Sequence, residues 1–600
     1  MVQRRPRSGA RTSTQVAFAF IASPVNSLLF EEVFMNDIRR TFLWVIFGFS
    51  MVLLWDQWQI YNGNKATFFP APPAATAEKP VTAPASAAKD LPVASVANPA
   101  ANTTAGPSQV PSSATMPVAT AQQRIEVSTD VLKLSFDTEG GSLVRSEFLK
   151  FGDTIDQQKP FVLLDESKAR VYLAQTGLIG GPFASHKTPM QFTGERELKA
   201  GQNELNLTFE SADTGGLKLI KTYTLTRGSY AIKVSHKVVN TGTAPAAPQL
   251  YVQLVRDGNK PEGESAFYMT FTGPAIYTDA KKFQKIEFSD IEKSKAEFEK
   301  TTQQGYVAMV QHYFASAWLL PENTYRENFA RKVDTNLYAV GMITPLNEVA
   351  PGQSKSMDVT LFVGPQEEKM LESLAPGLEL VKDYGWLTVL AKPLYWLLDR
   401  LFSILQNWGW AIVALVFLIK LAFYWLNAKA YSSMAKMKAI NPRIMEMRER
   451  LKDNPQQMQQ EMMRIYREEK VNPMGGCFPI MVQIPVFIAL YWVLLSSVEM
   501  RNAPWIGWIH DLSAPDPYFI LPVIMTLSTL LQTALNPAPP DPLQAKLMWF
   551  MPLIFSVMFF FFPSGLVLYW ITNNILSIAQ QWMINTRMGV PPQFNLPKFK

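Results

Sequence analysis

The sequence predicts a polytopic α-helical membrane protein joined to an antiparallel β-sandwich, and three observations lead there. Apolar runs dominate from residue 384 to 583, several of them long enough for a bilayer span. From residue 124 to 376 the pattern changes to short alternating stretches separated by turn residues. Lys and Arg gather in some loops between the apolar runs and acids in another, as a fixed membrane orientation requires. The mean hydropathy of +0.01 averages these two unlike halves.

Composition excludes several functions. A net charge of +6 on 600 residues is too small for bulk nucleic-acid binding, and no specific nucleic-acid recognition is expected. A single cysteine, Cys477, rules out an intrachain disulfide framework. His186, His236, His312 and His510 lie dispersed, so a His/Cys metal site is not expected. The chain has no GxxxxGK[ST] phosphate loop, and no cofactor is expected.

Residues 1–34 carry Arg4, Arg5, Arg7 and Arg11 with no acid before Glu31. They read as a targeting peptide or as a disordered extension upstream of the true start. The second is preferred, because a complete anchor begins at Met35. Arg39 and Arg40 precede the uncharged stretch Thr41–Trp55, so 35–60 is expected to be the first span, its start cytoplasmic. Residues 61–123 are rich in Ala, Pro, Ser and Thr and cannot bury enough apolar surface to order themselves, which predicts a linker.

Residues 124–376 are expected to form the β-sandwich. Val131–Phe136 alternates and ends at Asp137 and the pair Gly140-Gly141. Leu217–Thr226 and Tyr230–Val239 flank Arg227-Gly228-Ser229, which reads as a hairpin, and Leu337–Ile343 and Ser356–Val363 flank a Pro/Gly-containing connection. A sandwich of this size could bind sugar or peptide, but no convergent set of His and carboxylates marks a catalytic centre, so this half is expected to be a scaffold or docking domain and the protein not an enzyme.

Leu387, Leu390, Leu394, Leu397, Leu401 and Leu405 recur at three- and four-residue steps, with Lys392, Asp399 and Arg400 between them. That is an amphipathic helix over 384–406, suited to the membrane interface. The five-helix core, 407–583, follows with spans at about 408–426, 478–495, 518–535, 547–562 and 566–582. The last two are separated because the 36 residues Leu547–Trp582 as one helix would be about 54 Å long, against roughly 30 Å of hydrocarbon, and Pro563-Ser564-Gly565 offers a turn. With the anchor, six spans are expected. The loop 428–470 holds ten Lys/Arg against six Asp/Glu, the tail 584–600 carries Arg587, Lys598 and Lys600, and the loop 498–517 has one Arg and three acids. Both termini and the first loop then face the cytoplasm, and the β-sandwich the periplasm.

Lys420 stands inside the second span, where an ionised lysine costs roughly 3 kcal/mol. A snorkelling lysine is the plain reading. Against it, other spans supply Gln483, Thr526, Ser528, Thr529, Gln532, Thr572, Asn573, Asn574, Ser577 and Gln581. Asn573, Ser577 and Gln581 repeat every four residues on one helix face. One charge among many neutral polar groups fits a wet cavity better than a dry ion pair. The loop 428–470 reads as a helical hairpin turning at Lys452-Asp453-Asn454-Pro455, and eight of the 26 methionines lie in 428–474. Met434, Met437, Met447, Met458 and Met462 are its candidate contacts for varied apolar partners, though hairpin packing explains much of that pattern.

Several blocks resemble the YidC/Oxa/Alb family of membrane protein insertases, in its Gram-negative form with a large periplasmic domain. They are Tyr431-Ser432-Ser433-Met434-Ala435-Lys436-Met437, Glu469-Lys470-Val471-Asn472-Pro473-Met474-Gly475-Gly476-Cys477-Phe478-Pro479, Trp508-Ile509-His510-Asp511-Leu512-Ser513 and Phe562-Pro563-Ser564-Gly565-Leu566-Val567-Leu568-Tyr569. The likeness is weaker in the β-domain, where Val307-Ala308-Met309-Val310-Gln311-His312-Tyr313-Phe314 still matches. The resemblance implies an inner-membrane insertase and chaperone for nascent membrane proteins, working alone or with the Sec translocon and its accessory subunits, and meeting the ribosome and the lipid bilayer. It implies a hydrophilic groove with its positive charge on Lys420, polar positions on Gln483, Asn574 and Ser577, and substrate-facing aromatics at Tyr569 and Trp570. Val416 replaces a polar Thr of some relatives, which leaves that groove wall open. The rival reading is a solute transporter using Lys420 as an intramembrane anion site, yet no repeated pair of broken helices supports it. A sugar-binding sensor is disfavoured because no cytoplasmic signalling domain is present.

Overall fold

The computed structural model describes residues 91–92, 123–262, 270–452, 454–469, 478–536, 542–589 and 594. The predicted first span and most of the linker lie outside them.

Alternation becomes sheet. In the strand Leu217–Thr226 every second side chain, from Leu217 to Leu225, is buried, as one-sided packing requires. It pairs antiparallel with Ala231–Asn240, so the predicted hairpin forms, with Ile232 opposite Leu225. Among the described residues, ten strands make one sheet and nine make the other. The two stretches read on either side of the Pro/Gly-containing connection, Leu337–Ile343 and Ser356–Val363, fall in the strands Leu337–Pro345 and Ser354–Pro365, which do not pair with each other. The first strand pairs with Gln249–Asp257 and Arg326–Asp334, the second with Ala231–Asn240 and Phe314–Leu319, so the Pro/Gly connection carries the chain from one sheet to the other. Phe136, Phe148, Phe209, Tyr223, Phe314 and Trp318 fill the space between. Polar tips there reach across the layers: Trp318 Nε1 donates to Gln253 O at 3.0 Å, and Tyr172 Oη bonds Ser316 Oγ at 2.6 Å.

Helices follow the sandwich: α1 (Glu368–Leu374), α2 (Thr388–Leu405), α3 (Trp408–Ala422), α4 (Tyr424–Arg450), α5 (Pro455–Glu468), α6 (Phe478–Ser496), α7 (Ile520–Leu535), α8 (Pro542–Phe559) and α9 (Ser564–Arg587). Helix α2 is amphipathic as expected: Ala391, Tyr395 and Leu398 are buried, while Val389, Trp396 and Ile404 are exposed. Asn407 caps α3 by accepting from Trp410 N at 3.1 Å.

Three boundaries differ from the sequence reading. The span 408–426 stops at Phe423, where the chain bends by 68° into α4. Pro563-Ser564-Gly565 is not the turn itself: the turn precedes Ser564, which starts α9, and α9 runs on to Arg587. Its first two amides, of Ser564 and Gly565, donate to Ala514 O and Leu512 O at 2.8 and 2.9 Å, so the buried helix start is anchored to the preceding loop. Finally, no single described helix is long and apolar enough to cross a membrane, although the bent pair α3–α4 passes by length and composition.

Residues 433–475 belong to a different compact unit from the sandwich and the remaining helices. Within it, Ile440, Ile444, Met447 and Ile465 pack together, joined by Met437, Met458 and Met462. Asn454 caps α5 by accepting from Gln457 N at 3.2 Å, with Pro455 at the first helical position.

Candidate functional site: a lysine-centred polar seam

Helix α9 packs against both α3 and α7 and so carries its polar residues into the helical core. Lys420, in the last turn of α3, is only 9% exposed, and its Nζ donates to Ser577 Oγ at 2.8 Å. Ser577 Oγ in turn donates to Asn573 O one turn earlier, at 2.7 Å, which aims its lone pairs at the lysine. The Asn573 side chain accepts from Gln483 Nε2 of α6 at 3.0 Å. Three helices thus meet in one chain of polar contacts, closed at Lys420 and half-exposed at Asn573 and Gln483.

Asn574 lies beside this seam rather than in it: its Nδ2 donates to Ser528 Oγ and Thr529 Oγ1 of α7 at 3.0 and 2.9 Å. Gln581 donates to Leu535 O at 3.4 Å and Asn536 Oδ1 at 3.2 Å, fastening the far end of α9 to α7. Thr526 and Thr572 donate to the carbonyls of Pro522 and Leu568 on their own helices. Among the described residues no carboxylate pairs with Lys420. An ammonium held by one neutral hydroxyl keeps donors available for an anionic group.

The two aromatics have different surroundings. Tyr569 is buried, stacked with Phe487 at 5.8 Å, and Trp570 meets Phe487 edge-on at 4.7 Å and Phe559 at 5.3 Å. Val416 is buried in the same apolar cluster. Of the five hairpin methionines, Met437, Met447, Met458 and Met462 are packed in the hairpin's own core; Met434 lies outside that cluster. The exposed ones are Met445 and Met463.

The sequence reading missed a second polar cluster, at the joint between sandwich and helices. Glu499 accepts from Lys382 at 3.1 Å through both oxygens and from Tyr395 Oη of α2 at 2.6 Å. The Lys382 side chain is fully buried and lies 4.0 Å over the Tyr395 ring. Arg501 donates to Gly152 O at 2.6 Å and lies over Phe161, Tyr313 and Phe314 of the sandwich. His312 Nε2 donates to Leu495 O, at the end of α6, across 2.9 Å, and burial lowers its pKa to about 4, so the ring is neutral. The available signal was the period-two pattern Val498-Glu499-Met500-Arg501, whose apolar members are buried.

A β-sandwich joined to short apolar helices through the buried Lys382–Glu499 pair, with a lysine held among neutral polar groups in the helical core, is the architecture to compare with known membrane proteins. The family model described as YidC periplasmic domain matches residues 124–397, and that described as 60Kd inner membrane protein matches residues 399–590. The curated membrane protein insertases YidC of Ralstonia nicotianae and Cupriavidus necator are each 54% identical, covering 92% of this chain and 98% of their own. A crystal structure of an active YidC insertase with its first transmembrane domain resolved is similar over 76% of this chain and 91% of its own, at 19% identity and a TM-score of 0.37. The chain belongs to the YidC family, and it is a protein of the inner membrane.

Proposed function

We propose that this protein inserts and folds nascent membrane proteins, with Lys420 as the charge that receives their polar segments. The observation that carries the reading is the seam itself: a buried ammonium with one neutral partner, reached through half-exposed Asn573 and Gln483. An acidic group of an entering segment finds there a Coulomb partner in a medium of low dielectric. The substrate groove comprises Lys420, Gln483, Asn573, Asn574, Ser577, Tyr569 and Trp570.

Helix length supports the same mechanism. Helices α3 and α7 have 15 and 16 residues, about 22 and 24 Å at 1.5 Å per residue, against roughly 30 Å of hydrocarbon. Short apolar helices thin the bilayer around them, so a hydrophilic segment has less apolar path to cross. The substrate's own apolar helix then leaves sideways, driven by about 25 cal/mol per Å² of apolar area removed from water. No covalent step enters.

The topology that fits this direction of travel has six spans, cytoplasmic termini and the sandwich in the periplasm. The hairpin, with Met434, Met437, Met447, Met458 and Met462, then faces the ribosome and the emerging chain, and the Sec translocon with its accessory subunits is the partner for large substrates. Crosslinking a stalled membrane-protein nascent chain tests the groove: a photoreactive group at Gln483 should capture the chain, and capture only at lipid-facing Ile554 would reject it.

A further inference from the structure

The sequence reading took 61–123 as a linker unable to bury enough apolar surface to order itself, yet Leu91 and Pro92 are seated on the sandwich. Leu91 packs against a small apolar cluster of Ile179, Tyr251 and Ile343, with Phe329 alongside, and Pro92 is buried. This cluster is separate from the main core between the sheets. Its members come from neighbouring strands: Val171–Ile179 pairs with Gln249–Asp257, which pairs with Leu337–Pro345, and that strand pairs with Arg326–Asp334.

The site is shaped to stay in place. Tyr251 Oη accepts from His186 N at 3.0 Å, fixing the ring that floors the cluster. Gly341 leaves room for Phe329: a Cβ there would lie 2.4 Å from the Phe329 ring and from Val252 O. The occupant is equally distinctive. Leu91 is the sole leucine between residues 61 and 123, and between Pro70 and Met116 the only other aliphatic side chains larger than alanine are valines and prolines. A residue before proline is held extended, so Leu91 enters with little conformational freedom left to lose.

We propose that Leu91-Pro92 is an intramolecular strap that fastens the linker to the outside of the β-sandwich and divides it in two. The consequence is a shorter tether. Measured from Ile60, the predicted end of the first span, the first point fastened to the sandwich becomes residue 91 instead of 124. At about 3.5 Å per residue the greatest reach falls from roughly 220 Å to roughly 110 Å. A halved tether raises the effective concentration of the anchor at the helical core.

The test uses the full chain in lipid nanodiscs, with Cys477→Ser and single cysteines introduced by Leu91→Cys or Val110→Cys. A water-soluble maleimide should label the first at least about threefold more slowly than the second, and Ile343→Ala should remove most of that protection. Equal labelling rates at the two positions would overturn the strap. A photoreactive benzophenone residue at Leu91 should crosslink to peptides holding Ile179, Tyr251 or Ile343. In a mixture of isotope-labelled and unlabelled protein those crosslinks should be unmixed; mixed pairs would mean that a second copy supplies the strap, and would equally overturn the proposal.

Discussion

Two buried lysines separate the two halves of this molecule. Lys221 sits in the sandwich with no exposed surface, and its Nζ donates to Gly140 O at 2.6 Å and Thr176 O at 2.7 Å. Lys420 sits among helices with one hydroxyl partner. The first is built in: Gly140 has φ +68°, and a Cβ there would fall 2.3 Å from His186 O, so the carbonyl that receives Lys221 belongs to a loop only glycine can make. The second is left with donors to spare, on a seam that opens to half-exposed amides. A buried lysine held by two backbone carbonyls is structure, whereas one with a single neutral hydroxyl partner is poised to bind.

The largest expected effect breaks that comparison directly. Lys221→Glu would place a carboxylate against two carbonyl oxygens in a dry core and should destabilise the sandwich by about 4 kcal/mol or more, read as a lowered unfolding transition. Lys420→Glu should leave that transition where it is. Next in size is the joint. Glu499→Ala leaves the fully buried Lys382 ammonium without its carboxylate, at a cost of about 3 kcal/mol. Protease accessibility around Lys382 should rise while the sandwich itself still unfolds at the wild-type temperature.

A smaller effect follows from proton linkage. Burial lowers the Lys221 pKa to about 7, and burial with the nearby Lys221 charge lowers that of His236 to about 3. In both cases the unfolded chain binds more protons than the folded one, so sandwich stability rises with pH. The lysine contributes between pH 7 and its ordinary value near 10.5, and the histidine between pH 3 and 6.5. Each pH unit in a window is worth up to about 1.4 kcal/mol. Denaturant midpoints at pH 7 and pH 9 should differ accordingly, and Lys221→Met should flatten the difference.

The smallest effect sharpens the hairpin. Met447→Ala should cost about 2 kcal/mol, because that side chain is in the hairpin core. Met445→Ala should change stability by less than about 0.5 kcal/mol, because its side chain is exposed. If substrate contact is what the surface methionines do, Met445→Ala together with Met463→Ala should weaken nascent-chain crosslinking to the hairpin without unfolding it.

Much of this was legible in the residues, for identifiable reasons. The sheet strands declare themselves because one face is buried and one is wet, so period two survives in Leu217–Thr226. That same alternation places Lys221 inward, a signal present in the sequence and overlooked. Polar residues in apolar helices led to Ser577, Asn573 and Gln483, since each must find a partner in lipid. What could not be read were the partners across the fold. Sequence spacing does not say that Thr572 is satisfied within its own helix while Ser577 receives a lysine 157 residues away. It also hid the joint, because Glu499 and Arg501 look like any charged loop until Lys382 and Phe161 arrive from other elements. The strap at Leu91 was masked by composition, where one leucine does not alter an average.

The central claim is that Lys420 acts as a positive potential for substrate, and insertion of matched substrates tests it most directly. Proteoliposomes bearing wild type, Lys420→Arg, Lys420→Ala or Lys420→Glu would be given two substrates differing only in whether the translocated segment is acidic or neutral. Arginine keeps the charge and should support both substrates. Alanine should lower insertion of the acidic substrate by about tenfold, corresponding to 1.4 kcal/mol of lost attraction, and glutamate should lower it further, with the neutral substrate little changed in either. Equal insertion of both substrates by all four proteins would contradict the account.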